Sequence, residues 1–413
     1  MNKILFKNIA TLLQVTPQTS AIRGEAMSEL PAISNAYLLL ENRKIAAYGE
    51  MQYCPVLDNA TTIVDATDRL VLPCWCDSHT HLVFAKTRES EFEDRLHGLT
   101  YEQIALRGGG ILNSARALQQ TPEAVLLEQA FIRLQSVMHT GTGAIEIKSG
   151  YGLTVDSELK MLRVIQQLKQ ISPIPIKATF LGAHTVPMEY RPDNRHLYIQ
   201  LIIDKMLPTI ADQGLADYID VFCEKVAFTA AETERIIEAG LRFGLKPKIH
   251  TNQFYSMGGI EASLRHRAIS VDHLEVVNDE EIELLKYSNT IATLLPSAPF
   301  FLNDHYPPAR RLLDNGVTIA LASDYNPGTS PSGSMPFVLS LACIKMKMSP
   351  TEAINALTLN GAAAMELADT HGSIAVGKNA NIIITKPVPS VAYLPYSFTE
   401  NWVEQVWIDG KKI

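Results

Sequence analysis

Two histidines separated by one residue, His79 and His81, follow the run Leu70–Trp75, which is rich in apolar residues. If that run is a β-strand, alternate side chains share a face and both imidazoles point the same way. A pair like this at a strand end can grip a metal ion, although two polar residues can also meet at a strand terminus by chance. The other ligands must come from further along the chain. Lys148 with Tyr151 just beyond it, His184, Glu224, His250, His273 and Asp324 each lie at or just past the end of another short apolar run. Taken together, His79, His81, His250 and Asp324 form a mixed nitrogen and oxygen set that suits zinc and iron alike. A metal in that set with one open position lowers the pKa of its water from about 15.7 to roughly 7 and polarises a carbonyl, which is the chemistry of metal-assisted hydrolysis.

These residues need a scaffold that brings strand ends together. The candidate strands are Leu70–Trp75, Ala144–Lys148, Ile176–Leu181, Tyr218–Cys223, Lys248–His250, Ile269–His273, Thr290–Leu294 and Thr318–Ser323. Segments of helical period lie between them. Leu159, Leu162, Ile165, Leu168 and Ile171 repeat at about 3.6 residues along Asp156–Ile171. Another helix is expected to start at Pro122 with Thr121 as its cap, and Ser349-Pro350-Thr351-Glu352 reads as a capping box. Eight strand-then-helix units predict a parallel (β/α)8 barrel, whose chemistry sits at the C-terminal strand ends.

Both termini have a different texture. Lys3–Phe6, Ala36–Leu40, Lys44–Tyr48 and Thr62–Val64 are short β-type pieces separated by turn residues. The same texture returns near the C-terminus, with a turn at Gly377–Asn379, a strand after it, and the run Val403–Ile408 before the Asp409-Gly410 turn. Residues 1–69 and 371–413 are therefore expected to build one small β domain beside a barrel formed by residues 70–370.

The chain has 413 residues, 46% hydrophobic and 19% charged, as a globular protein does. A net charge of −8 gives no basic surface for nucleic acid. The five cysteines are irregularly spaced, with no Cys-x-x-Cys, so reduced thiols and a cytoplasmic location are expected, with Cys74 and Cys76 in a strand core. No signal peptide or membrane span is expected, because Lys7 and Asn8 break the first apolar run and no long one follows. Arg107-Gly108-Gly109-Gly110 lacks the lysine of a phosphate loop and reads as a flexible loop near the barrel mouth. Glu89, Glu91, Glu93 and Asp94 read as a solvated face. His97, His139, His196, His266, His305 and His371 fall in helices or loops, as structural or solvated residues.

Asp77-x-His79-x-His81 after the first strand, single histidines after the fifth and sixth, and Ser323-Asp324 after the eighth resemble the metal-dependent amidohydrolase superfamily. The resemblance covers essentially the whole chain. It implies a distorted (β/α)8 barrel with a β-sandwich made from both termini, and a homodimer. Longer motifs in the same order carry it further: His79 through Arg88, Arg107 through Ile111, Glu146 through Tyr151, Phe180 through His184, and Ser323 through Thr329. They are similar to a branch that hydrolyses a small cyclic amide bearing a propanoate tail. Arg88 would take the tail carboxylate in a bidentate pair. The resemblance implies substrate contacts from Tyr151, His184, Gln253, Asn326, Gly328 and Thr329, and proton handling by Asp324 with His273. Two departures matter. No bridging lysine follows the fourth strand, where Cys223-Glu224-Lys225 stands, which favours one metal ion over two. Gln253 stands where other members carry a glutamate, so the acid that a nucleobase deaminase requires is missing. Amide hydrolysis is favoured, with another cyclic amidohydrolase or a nucleobase deaminase as the alternative.

Overall fold

The computed structural model describes residues 3–56, 61–99, 103–104 and 107–413. Sixteen strands fall into two sheets of eight among the described residues. The N-terminal strands are β1 (Lys3–Leu13), β2 (Ala32–Glu41), β3 (Lys44–Glu50), β4 (Thr62–Asp65) and β5 (Arg69–Pro73). They join β14 (Ile382–Pro387), β15 (Val403–Ile408) and β16 (Lys411–Lys412) from the other end of the chain. The two ends meet where β5 pairs antiparallel with β14, Leu72 opposite Ile383. Phe6, Ile9, Leu12, Leu38, Leu40, Val71, Ile382, Ile384 and Trp407 gather into a core of this sheet's own.

The second sheet is the barrel. Its strands are β6 (Trp75–Asp77), β7 (Thr142–Lys148), β8 (Ile176–Ala183), β9 (Tyr218–Cys223), β10 (Lys246–Thr251), β11 (Ser270–His273), β12 (Ile291–Leu294) and β13 (Ile319–Leu321). All neighbours run parallel and in chain order. Alternation explains the sequence texture. Ile145, Ile147, Ile219, Val221, Ile249 and Val271 face outward into the main hydrophobic core, whereas the residues between them point into the barrel. Burying each such side chain contributes roughly 1.5–3 kcal/mol. The ring closes just past its first and last strands, where the Asp324 amide donates to the His79 carbonyl (3.0 Å) and the His81 amide to the Tyr325 carbonyl (2.9 Å). Three of the four proposed metal ligands, His79, His81 and Asp324, thus lie at the seam itself. No helix among the described residues is long and apolar enough to cross a membrane.

Two expectations need correction. The run Leu70–Trp75 is not one strand: Arg69–Pro73 belongs to the terminal sheet, and the first barrel strand is Trp75–Asp77. Pro73 has no N–H to continue a ladder, Cys74 bonds across to the Asn381 carbonyl, and both sheets bury their strands, so hydropathy shows no break. The helix predicted from Pro122 runs Glu123–His139 with Pro122 itself at the cap. Thr121 instead ends the preceding helix, Ile111–Gln120, and its hydroxyl donates to the Ala117 carbonyl. Ser349 and Glu352 do form a capping box. Cys74 and Cys76 are both buried.

Candidate active site

His79, His81 and His250 converge at the C-terminal mouth of the barrel, each offering a nitrogen within 4.8 Å of the others. His81 Nε2 and His250 Nε2 are 3.3 Å apart. The tautomers of His79 and His250 follow from what lies behind them. His79 Nδ1 donates to Asp272 Oδ2 (2.7 Å) and His250 Nδ1 to Asp220 Oδ2 (2.8 Å). A carboxylate only accepts, so both Nε2 atoms must present lone pairs to the site. The His79 Nε2 is buried with no hydrogen-bond partner. Burial, with the surrounding positive groups, pushes all three histidines well below their ordinary pKa, keeping them neutral. His81 Nδ1 is also buried without a partner, so that ring is free to turn a nitrogen lone pair towards a cation as His79 and His250 do. The donor set therefore fits a metal ion.

Asp324 completes the arrangement from the end of β13, its Oδ1 lying 3.5 Å from His79 Nε2 and 3.6 Å from His81 Nε2. Its backbone has φ of +53°. Burial raises its carboxyl pKa to about 7, against the opposing pull of His273. His273 stands at the end of β11 with φ of +92° and donates through Nδ1 to Glu275 Oε1 at 3.3 Å. Burial opposes charge on this ring, yet Glu275 raises its pKa above the ordinary value. One carboxylate and one imidazole, both able to hold a proton near neutral pH, therefore flank the triad.

Beneath the histidines lies a charge network inside the barrel. The Lys148 ammonium is 2.8 Å from Glu146 Oε1, 2.8 Å from Asp220 Oδ2 and 3.4 Å from Asp272 Oδ2. Lys248 pairs with the other oxygen of Glu146 and donates to the Ser78 carbonyl. Burial alone would depress the Lys148 pKa, but its three carboxylate neighbours hold it above the ordinary value. The sequence reading missed Asp220 and Asp272 as supports. Their signal was present: Glu146, Lys148, Asp220, Lys248 and Asp272 are charges at alternate positions of buried strands, all facing the barrel interior.

A recess opens above the triad, lined by His81, Arg88, Ile111, Tyr151, His184, Phe222, His250, Gln253, Phe254, His273, Asp324, Asn326 and Thr329. His184 stacks on His81, ring centres 5.3 Å apart, and donates through Nδ1 to the Gly150 carbonyl. Burial pushes its pKa down to about 4, so it is neutral. Arg88 is only 6% exposed, and its Nε and Nη1 have no hydrogen-bond partner. Glu91 Oε2 lies 3.5 Å from Arg88 Nε, an ion pair without a hydrogen bond. Glu91 was expected on a solvated face; it is buried instead, its other oxygen accepting from the Gly110 amide and Asn113 Nδ2. The acidic spacing there mimics an exposed helix, and only the fold reveals that the Gly110 loop covers it. Gly328 does not line the recess but packs on the Arg88 guanidinium. Glu224 sits outside too, its carboxylate accepting from the amides of Phe254 and Tyr255 beside Gln253.

A family model described as the amidohydrolase family matches residues 70–413. The imidazolonepropionase of Flavobacterium johnsoniae is 56% identical over 410 residues, covering 99% of both chains. That of Christiangramia forsetii is 55% identical over 411 residues, covering 99% of this chain and all of its own. Among solved structures, Escherichia coli guanine deaminase superposes with a TM-score of 0.76 at 13% identity, covering 100% of this chain and 99% of its own. Triazine hydrolase from Arthobacter aurescens does so with a TM-score of 0.73 at 15% identity, covering 100% and 94%. At such identities the structural likeness speaks to the fold alone. The chain belongs to the amidohydrolase family and, within it, groups with the imidazolonepropionases.

Proposed function

We propose that this chain hydrolyses the ring amide of 4-imidazolone-5-propanoate to N-formimidoyl-L-glutamate, a step of histidine degradation. The observation that carries the reading is a buried arginine with unpartnered N–H groups facing the same recess as a three-histidine metal cluster. A substrate that is both a cyclic amide and a carboxylate matches both halves, and full-length relatives carry the corresponding name.

Arg88 takes the propanoate carboxylate through its planar fork. Tyr151, His184 and Gln253 contact the ring and tail from one wall, and Asn326, Gly328 and Thr329 form the loop on the other. One zinc or iron ion held by His79, His81, His250 and Asp324 would supply a water of lowered pKa and polarise the ring carbonyl. A single ion is favoured because the Lys148 ammonium already fills the space among Glu146, Asp220 and Asp272. Asp324 accepts the proton of the attacking water at its carboxylate. His273, held by Glu275, donates to the oxygen on which negative charge develops. The carbonyl carbon gains the water oxygen, the carbon–nitrogen bond breaks, and the proton from Asp324 ends on the departing nitrogen.

The test supplies freshly prepared imidazolone propanoate and follows formation of formimidoyl-glutamate, with guanine and cytosine as controls and elemental analysis of the same preparation. Turnover of the imidazolone by protein carrying zinc or iron is expected. Ammonia release from the nucleobases without turnover of the imidazolone would overturn the reading.

A further inference from the structure

We infer that Glu158 is a positioning residue for the substrate recess: its buried carboxylate fixes the backbone of residues 150–153 and, through it, both Tyr151 and His184. The inference rests on the substrate contacts assigned to those two side chains above. Glu158 lies in the first turn of the helix Val155–Ile171, is fully buried, and does not line the recess. Its Oε1 accepts from the amides of Gly152 (2.7 Å) and Leu153 (2.9 Å), and its Oε2 from the amide of Gly150 (3.1 Å). The Ser149 side chain bonds the same carboxylate.

From the other side, Gln119 Nε2 donates to the Gly152 carbonyl (2.9 Å). Gly150 has φ of +111° and Leu153 φ of +57°, conformations that need outside support. The space around it is tight on both sides. A Cβ on Gly152 would lie 2.3 Å from the Glu158 amide nitrogen, and one on Gly150 would lie 2.8 Å from His184 Nδ1. The Gly150 carbonyl accepts from His184 Nδ1 at 3.1 Å, which sets that ring's tautomer and leaves Nε2 as an acceptor. Tyr151, one residue on, packs 5.4 Å from the His184 ring and 5.8 Å from His81. One carboxylate behind the wall therefore sets the place of two groups on its face. A buried carboxylate needs several strong donors to offset its lost hydration, and three converging amides supply them only in this loop conformation.

Glu158→Gln tests the point, because it keeps the shape but puts an NH2 group against an amide donor and so releases one end of the loop. The expected result is a KM raised on the order of tenfold, with kcat within about threefold of wild type and metal content unchanged. Tyr151→Phe is measured alongside it. If Tyr151→Phe raises KM while Glu158→Gln matches wild type, the positioning role is wrong and the substrate assignment stands. If Tyr151→Phe leaves KM unchanged, the substrate assignment at Tyr151 fails first. Loss of metal together with equal losses in KM and kcat would mark Glu158 as a general structural residue and also overturn the inference. Should the variant not fold, hydrogen exchange on the wild-type protein decides. The amides of Gly150, Gly152 and Leu153 are expected to exchange as slowly as the adjoining helix, and exchange at the rate of an open loop would overturn the inference.

Discussion

The proposed role of Arg88 is to select a substrate that carries a carboxylate. It is buried in the recess above the histidines, and the neighbouring carboxylate of Glu91, 3.5 Å from its Nε, makes no hydrogen bond to it. A buried guanidinium left this way is costly unless an anion completes it. Charge-assisted hydrogen bonds are worth roughly 1.5–3 kcal/mol, so Arg88→Ala is expected to raise KM for the propanoate substrate on the order of 10- to 100-fold. Metal content should not change, because Arg88 is not among the proposed ligands. Arg88→Lys should recover little of the loss, since an ammonium cannot offer two parallel donors. Steady-state kinetics with metal analysis on the same samples checks this, and unaltered kinetics in Arg88→Ala would remove Arg88 from its assigned role.

At the scale of elements, the turn after β13 is built to hold that arginine in place. Asn326 organises it: Nδ2 donates to the Asp324 carbonyl (2.7 Å) and Thr329 Oγ1 (2.8 Å), and Oδ1 accepts from the amides of Gly328 and Thr329. Arg95 adds a bond to the Gly328 carbonyl. The turn cannot shift easily, and a Cβ on Gly328 would fall 1.0 Å from Arg88 Nη2. Gly328→Ala is therefore expected to reproduce the KM defect of Arg88→Ala, on the order of tenfold or more, although it removes no polar group. Wild-type kinetics in this variant would show that the loop or the arginine yields without loss. The same turn begins at the barrel seam, so Asp324, proposed as both metal ligand and proton acceptor, stands four residues before the arginine's support at Gly328.

At the scale of the molecule, the junction between the terminal sheet and the barrel is polar and buried. Lys378 donates to the carbonyls of Gln18 and Ala368 and to Ser373 Oγ, tying both chain ends to the last turn of the barrel. His371 sits beside it, bonded to Thr370 and Asn379. Burial, with help from Lys44 and Lys378, lowers its pKa from an ordinary 6.5 to about 4. The unfolded chain then binds the proton more readily than the folded one. His371 thus contributes stability above pH 6.5 and loses it as the pH falls towards 4, on the order of 3 kcal/mol in all. His371→Gln, unable to take the proton, should flatten the fall in the unfolding midpoint between pH 6.5 and 4. An identical pH slope in the variant and the wild type would exclude this contribution.

Much of this was legible from residues alone, where a local pattern has one physical meaning. His79 and His81 share a face because strands alternate. The apolar runs β7 to β13 match their expected positions closely because the outward face of each buried strand must be apolar to pack into the core around the barrel. Ser349 and Glu352 cap a helix because their spacing allows nothing better. What the sequence could not reveal depends on contacts between distant segments. Hydropathy cannot divide Leu70–Trp75 between two sheets that are both buried. The spacing of Glu91 looks like an exposed helix face until Gly110 closes over it. Asp220 and Asp272 look like misplaced charges until His250 and His79, 30 and 193 residues away, supply the N–H groups they accept. The sequence by itself determined which residue types reach the barrel mouth, since that follows from the alternation and order of the strands. Only the tertiary structure decided how they are oriented, because each tautomer, loop and guanidinium is set by a partner remote in the chain.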